Sequence, residues 1–199
     1  MTALNESILE YVAARPEGAP ITAKELLHLG HREAVDQALS RLARAGNLIR
    51  SARGLYVRPI ESRFGRRPPS VEQFMAQMAK QLNVTIAPHG AAAANSLGLT
   101  TQVPMRSIYL TTGNPLQLKL GAQTIELKRA PNWQLSNLSG PAGQAVRALA
   151  WIGPAGAKEA LNQLKRQLPE SVLQEIAGSR AKFPEWLAKT VSTELLANG

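Results

Sequence analysis

Between His31 and Arg67 the chain carries nine arginines and no lysine, threaded through two hydrophobic periodicities. From Arg32 to Arg44 the apolar residues Val35, Ala38, Leu39 and Leu42 recur at three- and four-residue intervals. That spacing predicts a helix with one dry face. On a helical wheel Glu33, Gln37, Ser40 and Arg44 lie opposite Val35, with Arg41 flanking. Gly46 closes the helix, and Leu48-Ile49-Arg50 and Leu55-Tyr56-Val57-Arg58 predict two short strands around Ala52-Arg53-Gly54. Such a helix must lie on the outside of a small domain, arginines outward, with a basic hairpin directly behind it.

The residues upstream complete a three-helix pattern. Leu4, Ile8, Tyr11 and Val12 have helical spacing, and Pro16 and Gly18 end that helix. A second helix is expected after Pro20-Ile21, with Thr22 as N-cap, Glu25 three residues on as its capping-box partner, and Gly30 as its end. Three helices followed by a hairpin are the parts of a winged helix-turn-helix. In that fold the third helix enters the major groove and the hairpin rides the phosphates.

The charge agrees. The chain has 199 residues and a formal net charge of +9, and residues 31–67 hold nine Arg against Glu33, Asp36 and Glu61. A polyanionic partner is therefore expected, and duplex nucleic acid rather than a membrane surface, because no Lys-rich amphipathic segment with bulky aromatics is present. Aromatic residues make up only 5%, too few for stacking platforms to dominate. In this reading Arg41 and Arg44 contact guanine edges or phosphates, Gln37 reads adenine, and Ser40, Arg50, Arg53 and Arg58 hold phosphates.

Cysteine is absent, which excludes disulfides, thiol nucleophiles and thiolate zinc sites. The segment 1–11 carries Glu6 and Glu10 and no basic residue, unlike a secretory leader, and no apolar run approaches membrane-spanning length. A cytoplasmic location is expected.

Other chemistry-bearing residues read as structural. His28 and His31 with Glu25 approach metal-ligand spacing, but Gly30 interrupts the helix between them; a capping or phosphate-contact role is expected and no metal. His89, in Pro88-His89-Gly90, has no acid near it in sequence, since none lies between Glu72 and Glu126 and the only Asp is Asp36. It reads as a turn residue, not as part of a triad. Glu126-Leu127-Lys128 has the Glu-x-Lys form of metal-dependent nucleases but lacks the upstream carboxylate such a site needs. Phosphate-cradling glycine loops are absent. Neither a catalytic function nor a cofactor is expected.

Glu61 to Ser70 reads as a basic, proline-ended linker. Beyond it a mixed α/β part is expected: a helix from Val71 to Leu82, a strand from Val84 to Ala87, a short helix from Ala91 to Leu97, and three alternating segments, Ser107 to Thr112, Leu116 to Leu120 and Thr124 to Arg129, forming a small antiparallel sheet. From Pro141 onward the pattern is helical. The fold class is thus α+β, with a winged helix-turn-helix over 1–67 and an α/β domain with C-terminal helices over 70–199.

The wing segment Arg53-Gly54-Leu55-Tyr56-Val57-Arg58-Pro59, the Ala-rich stretch from Ala87 to Leu99 and the strand ending Tyr109-Leu110-Thr111-Thr112-Gly113 together resemble AbiEi-type antitoxins of bacterial type IV toxin–antitoxin systems. The resemblance covers about residues 1–150. It implies that the N-terminal domain binds operator repeats in double-stranded DNA and represses its own operon, as a monomer or dimer on DNA. It also implies that the C-terminal domain counteracts a cognate nucleotidyltransferase-type toxin. DNA-contact roles carry over to Gln37, Ser40, Arg41, Arg44, Arg50, Arg53 and Arg58, and no catalytic residue carries over. Two rival readings stay open: a transcription regulator whose second domain senses a small ligand, and a nuclease delivered to DNA.

Overall fold

Burying Ile8 and Val12 on one side of the first helix, α1 (Ala3–Ala13), builds the floor of the N-terminal core. The computed structural model describes residues 3–135 and 140–196. They form two compact units, one of residues 1–84 with 116–126, the other of residues 85–115 with 127–199.

In the first unit α1 is followed by β1 (Pro20–Thr22), a 3-10 turn (Ala23–Leu26) and α2 (Arg32–Arg44). The strands β2 (Ile49–Ala52) and β3 (Leu55–Val57) come next. All three strands are antiparallel in the order β1-β3-β2, so the first strand pairs with the last and the β2–β3 turn closes a hairpin at the edge of the sheet. Gly54 in that turn has a φ of +73°, which glycine adopts without strain. The core is Ile8, Val12, Ile21, Leu26, Val35, Leu39, Leu42, Leu48 and Tyr56, all buried.

Two expectations change here. The second helix is only the 3-10 turn. Between Thr22 and Gly30 there is room for little more than one turn, and short pieces of this kind suit 3-10 geometry. The expected linker is a second antiparallel hairpin, β4 (Ile60–Ser62) and β5 (Gly65–Arg67). Its turn is held by the Ser62 hydroxyl, which donates to the Gly65 carbonyl at 2.7 Å and accepts from the Phe64 N–H at 3.3 Å.

The first unit also extends past the boundary expected near residue 70. The helix α3 (Val71–Leu82) buries Phe74, Met75 and Met78 and packs against β1. It starts at a capping box in which the Ser70 hydroxyl accepts from the Gln73 N–H at 3.1 Å. A hub at Glu25 ties these elements together. Its Oε2 accepts from the Thr22 N–H at 2.9 Å and from the Thr22 hydroxyl at 3.0 Å, as the capping-box spacing predicted. Its Oε1 accepts from Gln81 Nε2 of α3 at 2.9 Å and from Arg15 at 3.5 Å. The hairpin of β8 (Leu116–Leu120) and the first part of β9 (Gln123–Arg129) completes the unit, burying Leu118, Leu120 and Ile125, with β8 beside β2.

In the second unit β6 (Ile86–Pro88) pairs antiparallel with β7 (Ser107–Thr111), and the Ala130 N–H, just past β9, donates to the Thr111 carbonyl. Between β6 and β7 lies α4 (Gly90–Ser96). The helices α5 (Asn132–Leu135), α6 (Gly140–Ile152), α7 (Pro154–Gln167), α8 (Glu170–Gly178) and α9 (Glu185–Val191) follow. Val146, Leu149, Leu161, Leu164, Ile176, Phe183 and Leu187 form their shared core. The alanine-rich α4 packs on α6 through Ala93, Ala94 and Ala148. The approach is tight enough that a Cβ at Gly90 would sit 2.3 Å from the Arg147 carbonyl oxygen. No helix among the described residues is long and apolar enough to cross a membrane.

These contacts set the stability of variants at Glu25, Gly90 and Gly178. Glu25→Ala removes a charged acceptor from four donors and lowers unfolding free energy by about 2 kcal/mol in urea titration, with Glu25→Gln losing less. Gly90→Ala drives a methyl into helix backbone that cannot move aside and costs about 3 kcal/mol. Gly178→Ala, where a Cβ meets nothing within 4 Å, leaves the midpoint unchanged or slightly raised.

Candidate nucleic-acid interface

The candidate surface is formed by α2 and the hairpin behind it. Burial of Val35, Ala38, Leu39 and Leu42 fixes the rotation of α2 about its axis. The opposite face then lines a shallow groove of Arg32, Glu33, Asp36, Gln37, Ser40, Arg41 and Arg44. Gln37, Arg41 and Arg44 are exposed, and Ser40 is half-buried.

Charge is unevenly distributed along this face. At its N-terminal end Arg32 Nε donates to Asp36 Oδ2 at 2.8 Å. The pair is exposed and one turn apart, so it contributes at most about 0.5 kcal/mol and largely cancels its own field. Arg41 and Arg44 occupy the last turn, where a cation also complements the helix dipole. The dipole explains why arginine is tolerated there. It does not explain Arg50 on β2 or Arg53 in the β2–β3 turn, both exposed on a strand and a loop. Among the described residues no carboxylate pairs with Arg41, Arg44, Arg50 or Arg53. These guanidiniums keep their donors available to solvent or to a polyanion.

Of the seven residues singled out in the sequence, Gln37, Ser40, Arg41 and Arg44 share one helix face, and Arg50 and Arg53 lie on the hairpin. Arg58 differs. It is half-buried and donates from Nη1 to the Ala13 carbonyl at 3.3 Å, closing the C-terminal end of α1.

The histidines take structural places. His31 occupies the N-cap position of α2, and the His28 ring lies 5.5 Å from the Tyr11 ring, centre to centre. His89 caps α4, its Nδ1 accepting from the Ala91 N–H at 3.2 Å. Glu126 and Lys128 sit two residues apart on β9, on the face away from buried Ile125 and Leu127.

The sequence reading missed Arg66. It spans from its cross-strand neighbour Glu61, at 2.7 Å, to the residues that close α2, donating to Asn47 Oδ1 at 2.9 Å and to the Gly46 carbonyl at 3.3 Å. The second hairpin is thereby fastened to the end of the arginine-bearing helix. The available signal was the opposite-charge pair in the Glu61↔Arg66 register, visible only once residues 60–67 are read as two strands.

None of the curated proteins matches this sequence. Among solved structures the chain is similar to the RV2827C protein from Mycobacterium tuberculosis, with a TM-score of 0.48 and 15% identity over 100% of this chain and 78% of that one. A family model described as "Family of unknown function (DUF6088)" matches residues 7–176, well over half of the 199 residues. The chain belongs to that family.

Proposed function

We propose that the protein is a sequence-specific duplex-DNA-binding repressor of its own operon and acts as an antitoxin through its second unit. The observation that carries the DNA reading is the set of unpaired guanidiniums, Arg41 and Arg44 on the outward face of α2 and Arg50 and Arg53 on the adjoining hairpin. An α-helix fits the major groove, where arginine recognises guanine by two parallel hydrogen bonds and glutamine recognises adenine in the same way. A hairpin beside it meets phosphates, and release of their counterions makes binding steeply salt-dependent.

The antitoxin part is supported by the resemblance of the wing and the Ala-rich segment to AbiEi-type antitoxins. It is also supported by an exposed apolar pair in the second unit, Val103 at 74% and Met105 at 97% exposure, with Arg106 beside them. Exposed apolar side chains next to a cation suit the centre of a protein contact. Arg147 is a poorer contact than its residue type suggests, since it is 7% exposed within α6 and burial lowers its pKa from the ordinary value. No catalytic step is part of this proposal.

Binding titrations against a duplex from upstream of the protein's own reading frame, and against a scrambled duplex, test the DNA reading. Arg44→Ala loses about 1–3 kcal/mol on the upstream duplex and little on the scrambled one. Arg53→Ala weakens both alike and lowers the salt slope by about one. Arg58→Ala leaves the slope unchanged and instead lowers stability by about 1 kcal/mol. Equal losses on both duplexes for Arg44→Ala reduce that residue to a phosphate clamp.

The antitoxin reading has its own test, co-expression with an adjacent nucleotidyltransferase-type toxin gene. The wild-type chain restores growth, and a Val103→Asp, Met105→Asp double variant binds DNA normally but does not. Rescue by the double variant removes that surface from the account.

A further inference from the structure

The β4–β5 hairpin carries an arrangement that neither its fold nor the recognition helix requires. Its turn places Phe64 in water, 87% exposed, with the Arg63 guanidinium 4.7 Å from the ring centroid. Strand β5 adds Arg66 and Arg67. Glu61 is the hairpin's one acid, and it is occupied by Arg66. A phenylalanine at a hairpin tip has no core to join here, and a polar residue would serve the turn equally well. The Ser62 hydroxyl and the Gly65 conformation already define that turn. The hairpin does not hang free, because Arg66 fastens it to Gly46 and Asn47 at the end of α2. With about 3.3 Å per strand residue, the tip lies roughly 7–10 Å beyond that fastening.

We propose that this hairpin is a second wing that presses Phe64 between base steps of the duplex from the minor groove, with Arg63 and Arg67 on the flanking phosphates. The inference rests on the duplex-binding reading above and adds to it a site and a mode of contact. The hairpin's charge favours DNA over a protein partner: residues 60–67 hold Arg63, Arg66 and Arg67 against one acid, Glu61, which Arg66 already occupies. A ring wedged into a base step gains stacking while the guanidiniums neutralise the phosphates on either side. In the free protein the Arg63 guanidinium covers one face of the Phe64 ring, and on binding it exchanges that face for a phosphate as the ring enters the base step. The fastening by Arg66 ties the base of the hairpin to the end of α2, so in this proposal both contacts form together. Unstacking then falls at a fixed step beside the sequence that Arg41 and Arg44 read.

The test uses the full chain and a series of duplexes covering the DNA upstream of its reading frame, each with 2-aminopurine at one position. Wild-type protein raises the fluorescence several-fold at one step, the signature of unstacking. Phe64→Ala abolishes the rise and weakens binding about tenfold, the order of one aromatic–base stacking contact, with the salt slope unchanged. Phe64→Leu, still an apolar wedge, keeps most of the rise. Arg63→Ala and Arg67→Ala each lower the salt slope by about one. Arg63, Phe64 and Arg67 are all exposed, so these substitutions leave the core intact. Tight, salt-dependent binding by wild type with no fluorescence rise at any position, or a rise that persists in Phe64→Ala, overturns the wedge while leaving the duplex reading intact. Failure of the wild-type chain to bind any of these duplexes at low salt overturns both.

Discussion

Val35, Leu39 and Leu42 can be buried together only if Gln37, Arg41 and Arg44 face water. That one rotational constraint on α2 sets most of what the N-terminal unit presents. The apolar residues pack against α1, β1 and the 3-10 turn, and the cationic face follows as a geometric consequence. Uncompensated positive charge on one side of a small domain costs stability through self-repulsion. The chain nevertheless places Arg41, Arg44, Arg50 and Arg53 without acids, while elsewhere it pairs Arg32 with Asp36 and Arg66 with Glu61. The contrast between satisfied and unsatisfied arginines, more than the net charge of +9, gives the reading its direction.

How much of this was legible in the sequence depended on the length of each signal. The thirteen residues of α2 span more than three turns, so their periodicity identified both the helix and its outward face. For α3 the span alone was legible, and α6 and α7 only as a helical pattern from Pro141 onward. The Thr22–Glu25 pair was legible because a capping box is a local bond between residues three apart. What sequence missed was short or non-local. The second hairpin has three-residue strands with no apolar alternation, and the glycine and prolines beside it read as breaks. The capture of Gln81 by Glu25, which draws α3 into the first unit, joins residues 56 apart and leaves no trace in the local pattern. Arg58 carries the same charge as Arg53, and only the folded chain separates the one that closes α1 from the one at the turn.

In the second unit the organising contact is the close approach of α4 to α6. Small residues line it, and at Gly90 there is no room for a side chain. This accounts for the alanine run that the sequence presented without a reason. The run is a packing surface, and Val103 and Met105, both exposed, lie outside it. Arg147 within α6 illustrates the cost of the packing. Among the described residues its Nε is buried without a hydrogen-bond partner, and its Nη1 donates to the Gln134 carbonyl at 3.4 Å.

The central claim is that the α2 face and the hairpins around it form the surface that meets duplex DNA. Backbone amide chemical-shift mapping of the full chain, titrated with the upstream duplex at moderate salt, tests it most directly. The account predicts the largest shifts at Gln37 to Arg44, Arg50 to Arg53 and Arg63 to Arg67, with the amides of residues 140–196 unmoved. Shifts concentrated in residues 140–196, with α2 unperturbed at saturation, would contradict it.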